Sequence, residues 1–185
     1  MSIIFGGIRQ LGMVVSDINT AMQEWAKLGV GPFYTMHFAI DDFVYRGGPS
    51  EAPIVTLAFA HSGPLQIELI QQHNDVPSGY KEFLDAGRLG AQHVAAWYAD
   101  HGAYDKKRHE LLDRGFSIVH EGASRANDAR FAYFATTEPG GLQFEIAEAL
   151  LPPLADFRLI MERSAETWDG KTILASELKP LVESV

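Results

Sequence analysis

Four residues that could bind a metal recur in the sequence with nearly constant spacing. Glu68 closes the stretch "LQIE" and Glu145 closes "LQFE", 77 positions later, and each glutamate has apolar neighbours. Gln10 begins "QLGMVVSD" and His93 begins "HVAAWYAD", 83 positions later. One imidazole, one amide oxygen and two carboxylates suit a hard or borderline divalent ion. The repeated spacing therefore indicates an imperfect duplication in which each half carries two residues able to bind a metal.

The segments that carry these residues follow the same order in both halves of the chain. Asp17 is placed to cap a helix through about Leu28, and a second helix is predicted over Tyr104–Arg114. Strands are predicted at Phe33–Ala39, Ile54–His61 and Leu65–Gln71 in the first half, and at Phe116–Glu121, Arg130–Thr136 and Leu142–Ala147 in the second. The Gly- and Pro-containing segment 41–53 is predicted to be a loop. Each half is thus predicted to be a βαβββ module.

The predicted organisation is α+β, with two tandem modules and a tail. We expect a first module at 7–72, a connecting segment at 73–90 with a short helix, and a second module at 91–150. The tail at 151–185 begins with two prolines and then has apolar residues at helical spacing, which indicates a short amphipathic helix. Its apolar side must pack on this chain or on a second copy of it.

Strand periodicity predicts which way the four candidate ligands point. Side chains alternate between the two faces of a strand, so Gln10 and Gly12 face away from Leu11 and Met13, which suit the helix-covered side. The same alternation places Glu68, His93 and Glu145 on the face away from the helices, where Ala95 and Trp97 also point. We therefore expect the four candidate ligands to share one face of a sheet.

Composition excludes several classes of function. The net charge of −9 and the pI near 5.2 argue against a nucleic-acid partner, which requires a basic face. The chain has no cysteine, so any metal must be bound by nitrogen and oxygen. No apolar run approaches the roughly 20 residues that span a bilayer, and the N-terminus does not have the pattern of a signal peptide. These features predict a cytoplasmic protein with no membrane partner.

In their order and register, these motifs resemble the vicinal oxygen chelate superfamily, which includes glyoxalases, bleomycin-resistance proteins and extradiol dioxygenases. The resemblance covers about residues 7–148 and is greatest to methylmalonyl-CoA epimerases and lactoylglutathione lyases. It implies paired βαβββ modules whose mixed sheet forms a cup around one divalent ion per chain (Zn, Co, Ni, Mn or Mg), and it implies a homodimer. It also implies that Gln10, Glu68, His93 and Glu145 are the metal ligands. Gln10 departs from the histidine that many relatives carry.

The resemblance implies an isomerase, epimerase or glyoxalase-type lyase. An octahedral ion with four protein ligands keeps two positions for substrate oxygens, and it can stabilise the enolate formed when a carbon beside a carbonyl loses its proton. The reaction also requires a base. Glu51, 17 residues before Glu68, resembles the catalytic glutamate of the epimerases, and Glu145 is the alternative that the lyases suggest.

Three other functions remain open at this stage. An extradiol dioxygenase would bind iron with two histidines and one carboxylate, which Gln10 and Glu68 argue against. A metal-free binding protein would lack the ligand set, and a relic of the fold would have no activity. The small-molecule substrate could be a CoA thioester, a glutathione adduct or another compound. An anionic thioester would need a basic residue, for which Arg46 and Arg88 are candidates.

Overall fold

In a computed structural model, which describes residues 2–4, 6–136 and 141–177, ten strands form one curled mixed sheet with four α-helices. The strands are β1 (Gln10–Val14), β2 (Tyr34–Ala39), β3 (Asp41–Tyr45), β4 (Gly48–Pro49), β5 (Ile54–Ser62), β6 (Leu65–Gln72), β7 (Gly90–Trp97), β8 (Ile118–Ser124), β9 (Ala129–Phe134) and β10 (Gln143–Ala147). The helices are α1 (Ile18–Lys27), α2 (Gly79–Asp85), α3 (His101–Asp113) and α4 (Pro152–Glu166). Residues 137–140 of the predicted second module lie outside the described residues.

The sheet has the order β2-β5-β6-β1-β7-β10-β9-β8-β3-β4 and curls into a half-barrel. The two modules meet at its centre, where β1 and β7 pair antiparallel. On either side the first strand of each module pairs in parallel with the last strand of the same module, β1 with β6 and β7 with β10. The predicted α+β class and the paired modules around a cup are confirmed.

Helices cover both faces of the sheet, two on each. On the convex face, α1 packs through Ile18 and Met22 on a cluster that includes Leu11 and Met13. Helix α3 packs in the same way on the second module. Both begin at an aspartate whose side chain accepts a backbone N–H, Asp17 for α1 as predicted. The opposite, concave face is contacted by α2 and α4 and carries the candidate ligands.

The prediction of a loop over 41–53 is wrong for its first part. Residues 41–49 form the β3–β4 hairpin, and β3 pairs with β8 of the second module. Phe43 is buried in the core, which explains why this stretch is a strand. Arg46 and Gly47 have positive φ, as a two-residue hairpin turn requires. The first module thus contributes two strands to the edge of the second.

The tail helix packs on its own chain. Met161 of this helix is buried. The hydroxyl of Tyr34 in β2 lies 2.6 Å from Oγ of Ser164, and the Tyr34 ring makes an edge contact with the ring of Phe157. After α4 the chain returns to bridge Leu174 with Phe33. Residues 178–185 of the predicted tail lie outside the described residues. No described helix is long and apolar enough to cross a membrane.

Candidate metal centre

The candidate ligands lie on two adjacent rows that run across the strands of the concave face. Cross-strand pairing aligns one row as Gln66, Gln10, Ala95, Glu145, Tyr133 and His120. The other row consists of Tyr34, Phe59, Glu68, Gly12, His93 and Gln143. Paired residues share a face, so all four candidate ligands point into the cup. The small residues Gly12 and Ala95 lie between them and leave a hollow at the centre.

Three of the four candidate ligands converge on one point. Nε2 of His93 lies 3.2 Å from Oε2 of Glu68 and 3.2 Å from Oε2 of Glu145. His93 is fully buried, and the side chains of both glutamates are only 8% exposed. Neither Oε2 has a well-directed hydrogen-bond donor, because one imidazole N–H cannot point at two oxygens. Buried carboxylate oxygens without donors and an imidazole nitrogen between them fit a divalent cation.

A β-bulge at Gln92 fixes the orientation of the His93 ring. The pairing of β1 with β7 skips this residue, since Gly12 pairs with His93 and Met13 with Ala91. The bulge lets Gln92, which is fully buried, place Oε1 2.8 Å from Nδ1 of His93. Nδ1–H then donates to the amide oxygen and Nε2 faces the two carboxylates. Metal-binding histidines are commonly held in this way.

The charges in this cluster depend on one another. Burial alone would lower the pKa of His93, but the close contacts and negative charges of Glu145 and Glu68, each 3.2 Å from Nε2, outweigh burial and raise this pKa to about 9. Burial raises the pKa of the Glu145 carboxyl, and His93 opposes that shift through its close contact and its charge. Without a metal, a protonated imidazole is therefore the cation that balances the two buried carboxylates.

Gly12 is required by the position of the His93 ring. A Cβ atom built on Gly12 would lie 1.7 Å from Cε1 and 2.1 Å from Nε2 of His93. The ring is enclosed on its other sides and cannot move aside without displacing its neighbours. This close approach explains why the first module has glycine at the position where the second has Ala95.

Gln10 is buried on the same wall of the cup, and its amide is oriented by a neighbour. Nε2 of Gln10 donates a hydrogen bond to Oε1 of Gln66 at 2.8 Å, which leaves the amide oxygen of Gln10 for another partner. Nε2 of Gln66 lies 3.3 Å from Nε2 of His61, which is also buried. Gln10 as the fourth ligand stays a prediction that this orientation supports.

Two buried tyrosines, which are not among the residues predicted from the sequence, adjoin the cluster. The hydroxyl of Tyr133 lies 3.5 Å from Nε2 of His93 and accepts a hydrogen bond from the hydroxyl of Tyr80 at 3.2 Å. Burial, together with the charges of Glu68 and Glu145, raises the pKa of both phenols well above the usual value. Alternation along β9 could have placed Tyr133 on the concave face, but Tyr80 lies on the connecting helix, for which no repeat gave a signal.

A cavity of about 190 Å³ opens beside the cluster, and helix α4 forms part of its wall. Gln10, Glu68 and Glu145 are among the residues that line it. Apolar side chains of β2 and β5, with Trp97 of β7, line much of the remainder. Leu154, Phe157, Arg158 and Met161 of α4 close it on the side that the sheet leaves open.

Several predicted site residues lie away from this cavity. Glu51 is exposed in the loop before β5 and does not line the cavity, so its role as base stays a prediction. Arg46 is in the hairpin turn and pairs with Glu82. Arg88 is exposed just before β7. Neither arginine lines the cavity, and His93 is the one histidine of the described residues that joins the metal-ligand cluster.

Comparisons with known proteins agree with this fold. A methylmalonyl-CoA epimerase from Mycobacterium tuberculosis superimposes with a TM-score of 0.55 at 22% identity, covering 84% of this chain and 96% of that one. A Streptomyces coelicolor methylmalonyl-CoA epimerase variant in complex with 2-nitronate-propionyl-CoA gives a TM-score of 0.52 at 18% identity, covering 76% of this chain and 92% of that one.

At these identities the structural likeness shows the fold alone. No curated protein sequence matches the chain. A family model described as the glyoxalase/bleomycin resistance protein/dioxygenase superfamily matches residues 9–134, which is more than half of the chain. The chain therefore belongs to the glyoxalase/bleomycin resistance protein/dioxygenase superfamily.

Proposed function

We propose that this protein is a divalent-metal-dependent isomerase, epimerase or glyoxalase-type lyase that moves a proton at a carbon next to a carbonyl. The observation that carries the proposal is the buried cluster of Glu68, His93 and Glu145, in which two carboxylate oxygens have no donor. Superfamily membership supports it, and the names of the two structural relatives are in keeping with an epimerase.

Glu68, His93 and Glu145 would hold the ion, and the amide oxygen of Gln10 would be the fourth ligand. When bound, the ion would act as a Lewis acid that stabilises negative charge on a substrate oxygen. The bulge at Gln92 keeps Nε2 of His93 directed into the cluster, and Gln66 keeps the Gln10 amide in one orientation. The side chains are thus arranged before a substrate arrives, as electrostatic stabilisation requires.

The proton must be taken by a base, for which two carboxylates are candidates. Glu145 lines the cavity, so its side chain can reach a substrate carbon there. Glu51 would require its loop to approach the cavity, because it lies outside the lining. The geometry therefore favours Glu145 over the base that the family resemblance suggests. Apolar side chains around the cavity would keep water away from the carbanion.

An extradiol dioxygenase is a weaker interpretation of the same cluster. Non-haem iron oxygenases use two histidines and one carboxylate with open coordination positions. Within the described residues this cluster has the opposite composition, with one histidine and two carboxylates. A further carboxylate in place of a histidine gives a harder, more anionic site, which suits a redox-inactive Lewis acid.

The metal is tested first. Protein loaded with Zn²⁺, Co²⁺, Ni²⁺ or Mn²⁺ and dialysed should retain about one ion per chain, measured by elemental analysis. His93→Ala and Glu145→Ala should each abolish retention, because each removes a ligand and leaves a buried group unpaired. His109→Ala and Glu166→Ala, at exposed positions, are the matched controls. A wild-type protein that retains none of these ions would contradict the proposal.

The reaction is tested by NMR in heavy water. Metal-loaded protein should exchange a substrate proton for deuterium in one class of a panel of acyl-CoA thioesters, glutathione hemithioacetals and free 2-oxo acids. If Glu145 is the base, a Glu145→Gln variant that still retains the metal by elemental analysis should exchange about 100-fold or more slowly, while Glu51→Gln has little effect. If Glu51→Gln slows exchange and Glu145→Gln has little effect, Glu51 is the base. Exchange with no compound, together with oxygen consumption on a catechol, would support the dioxygenase.

A further inference from the structure

Four arginines of the described chain bind a carboxylate in one common geometry. Each uses the edge of the guanidinium that carries Nε and Nη2, and each places these two nitrogens on one carboxyl group. The pairs are Arg46–Glu82, Arg108–Glu121, Arg125–Asp42 and Arg130–Glu148. In Arg108, for example, Nε lies 2.8 Å and Nη2 lies 2.9 Å from the oxygens of Glu121.

Arg158 on helix α4 departs from this geometry. Its Nη1 contacts Glu162, one turn further along the helix. No carboxylate of the described residues lies at the Nε–Nη2 edge, and Nε is buried without a hydrogen-bond partner. A buried N–H without an acceptor is unfavourable unless a ligand or ordered water completes it. The Nε–Nη2 edge of Arg158 therefore lacks the carboxylate partner that the other four arginines have.

Arg158 also lines the cavity beside the metal-ligand cluster. A chain of contacts links the two ends: Gln10 to Gln66 at 2.8 Å, Gln66 to His61 at 3.3 Å, and Nδ1 of His61 to Glu162 at 3.9 Å. Phe157 and Met161 of the same helix give the cavity an apolar wall between them. Residues of the cluster and the side chain of Arg158 thus line the same cavity.

From these observations we propose that the Nε–Nη2 edge of Arg158 binds the carboxylate of a small organic acid with an apolar chain. One planar edge with two donors matches one carboxylate. Arg130, the other arginine of the cavity, is already held by Glu148 and Asp105, so a phosphate dianion would find a single free cation. The volume of about 190 Å³ is below the usual range for drug-sized ligands and suits a small acid.

This subsite belongs to the tail of the chain, not to the duplicated modules. Helix α4 begins at Pro152, beyond the residues 9–134 that the family model matches. The tail thus adds both a wall and a cation to a cavity that the sheet alone leaves open. The idea that this acid is the substrate rests on the proposed function. The idea that Arg158 binds an acid does not depend on it.

Paired probes test the subsite directly. We would titrate 3-methylbutanoate and its neutral amide, 3-methylbutanamide, into the full chain at pH 7.5 and follow binding by NMR, with metal-free and with Zn²⁺-loaded protein. Wild-type protein should bind the acid about tenfold or more tightly than the amide in both states. Arg158→Gln should remove this preference. Arg163→Gln, an exposed arginine on the same helix, should keep it.

Arg158→Lys is a second variant, which keeps the proposal testable if Arg158→Gln does not fold. Lysine keeps the charge without the two-donor edge, so part of the preference for the acid should remain. Equal binding of acid and amide to wild-type protein, or a preference that persists in Arg158→Gln, would overturn the proposal. Inorganic phosphate binding more tightly than the acid in an Arg158-dependent way would also overturn the choice of a carboxylate.

The metal-free measurement separates this proposal from the proposed function. An acid preference that appears only with Zn²⁺ and survives Arg158→Gln would mean that the probe binds the ion, which overturns the subsite alone. An Arg158-dependent preference in a protein that neither retains metal nor exchanges a substrate proton would support the subsite while the proposed reaction fails.

Discussion

The two modules place equivalent rows of side chains beside their glutamates but use them differently. In the first module, cross-strand pairing forms the row Glu68, Phe59 and Tyr34, here called the first row. In the second module it forms the equivalent second row, Glu145, Tyr133 and His120. In the first row Phe59 lines the cavity, and Tyr34 is only partly buried and contacts helix α4. In the second row Tyr133 and His120 are fully buried.

Two helices of the concave face complete these rows. Helix α2 closes the second row, since the backbone N–H of Gly79 donates to Nδ1 of His120 at 2.9 Å and the Tyr80 ring packs 4.6 Å from the His120 ring. Helix α4 covers the first row but leaves the cavity open beneath it. His120 of the second row is thus covered by packed side chains, whereas Phe59 of the first row lines the cavity. Tyr80 and Tyr133 contribute to the wall of the same cavity.

The same comparison applies at the centre of the site, where Gly12 and Ala95 hold equivalent positions. Gly12 faces His93 across β1 and β7, and Ala95 faces Gln10. The Gly12→Ala substitution should lower metal affinity by about 10- to 100-fold, because the new methyl group would displace the His93 ring. It should also lower the free energy of unfolding by about 1–3 kcal/mol through overpacking. Metal titration and chemical denaturation measure the two effects.

Ala95→Gly is the matched control for this prediction. It removes a methyl group from the equivalent strand position, creates no clash, and should cost only about 0.5–1 kcal/mol of stability. Metal affinity should stay close to that of the wild type. Equal losses of metal in the two variants would mean that the two positions are interchangeable and that the close approach of His93 to Gly12 does not matter.

Much of the framework could be predicted from the sequence because the duplication repeats its strand signals. The offset between the two "LQ-x-E" motifs and the alternation of side chains placed Glu68, His93 and Glu145 on one face, and the structure brings these three together. Helix α1 follows its predicted cap at Asp17. These features depend on local patterns of two to four residues, which a single sequence records.

The rest depends on contacts between distant parts of the chain. Phe43 is followed by Val44 and Tyr45, residue types that favour a strand, but the glycines and proline nearby indicate a loop. Burial of Phe43 against the second module decides the outcome. The bulge that turns Gln92 toward His93 leaves no sequence pattern. Apolar spacing predicted α4 as an amphipathic helix, but it could not show that Arg158 would reach the cavity.

The pH dependence of stability tests whether His120, which is buried in the second row, stays neutral in the folded protein. Burial, with a smaller contribution from the charge of His93, lowers the pKa of His120 to about 3, whereas an unfolded histidine titrates near 6.5. Between these values the unfolded chain binds a proton that the folded chain does not. His120 should therefore reduce stability as pH falls, by about 2 kcal/mol between pH 7 and pH 5.

The test compares wild type with His120→Asn, whose amide oxygen can still accept the N–H of Gly79. The variant should be less stable at pH 7 because the smaller side chain leaves a cavity. Its deficit should shrink as pH falls, since asparagine does not titrate. Urea denaturation from pH 7 to pH 5 gives the difference directly. A deficit that is constant across this range would show that His120 does not stay neutral in the folded protein.

The smallest expected effect concerns the one ligand position at which the modules differ chemically, Gln10 against His93. Imidazole is a stronger ligand than an amide oxygen for Zn²⁺, Co²⁺ and Ni²⁺, so Gln10→His should keep these ions and tighten their binding by about tenfold. Gln10→Leu, which offers no ligand atom, should weaken binding by a similar factor. Competition with a chromophoric chelator measures both. If Gln10→Leu binds metal as tightly as the wild type, Gln10 contributes no ligand, and its hydrogen bond to Gln66 serves only to pack the wall of the cup.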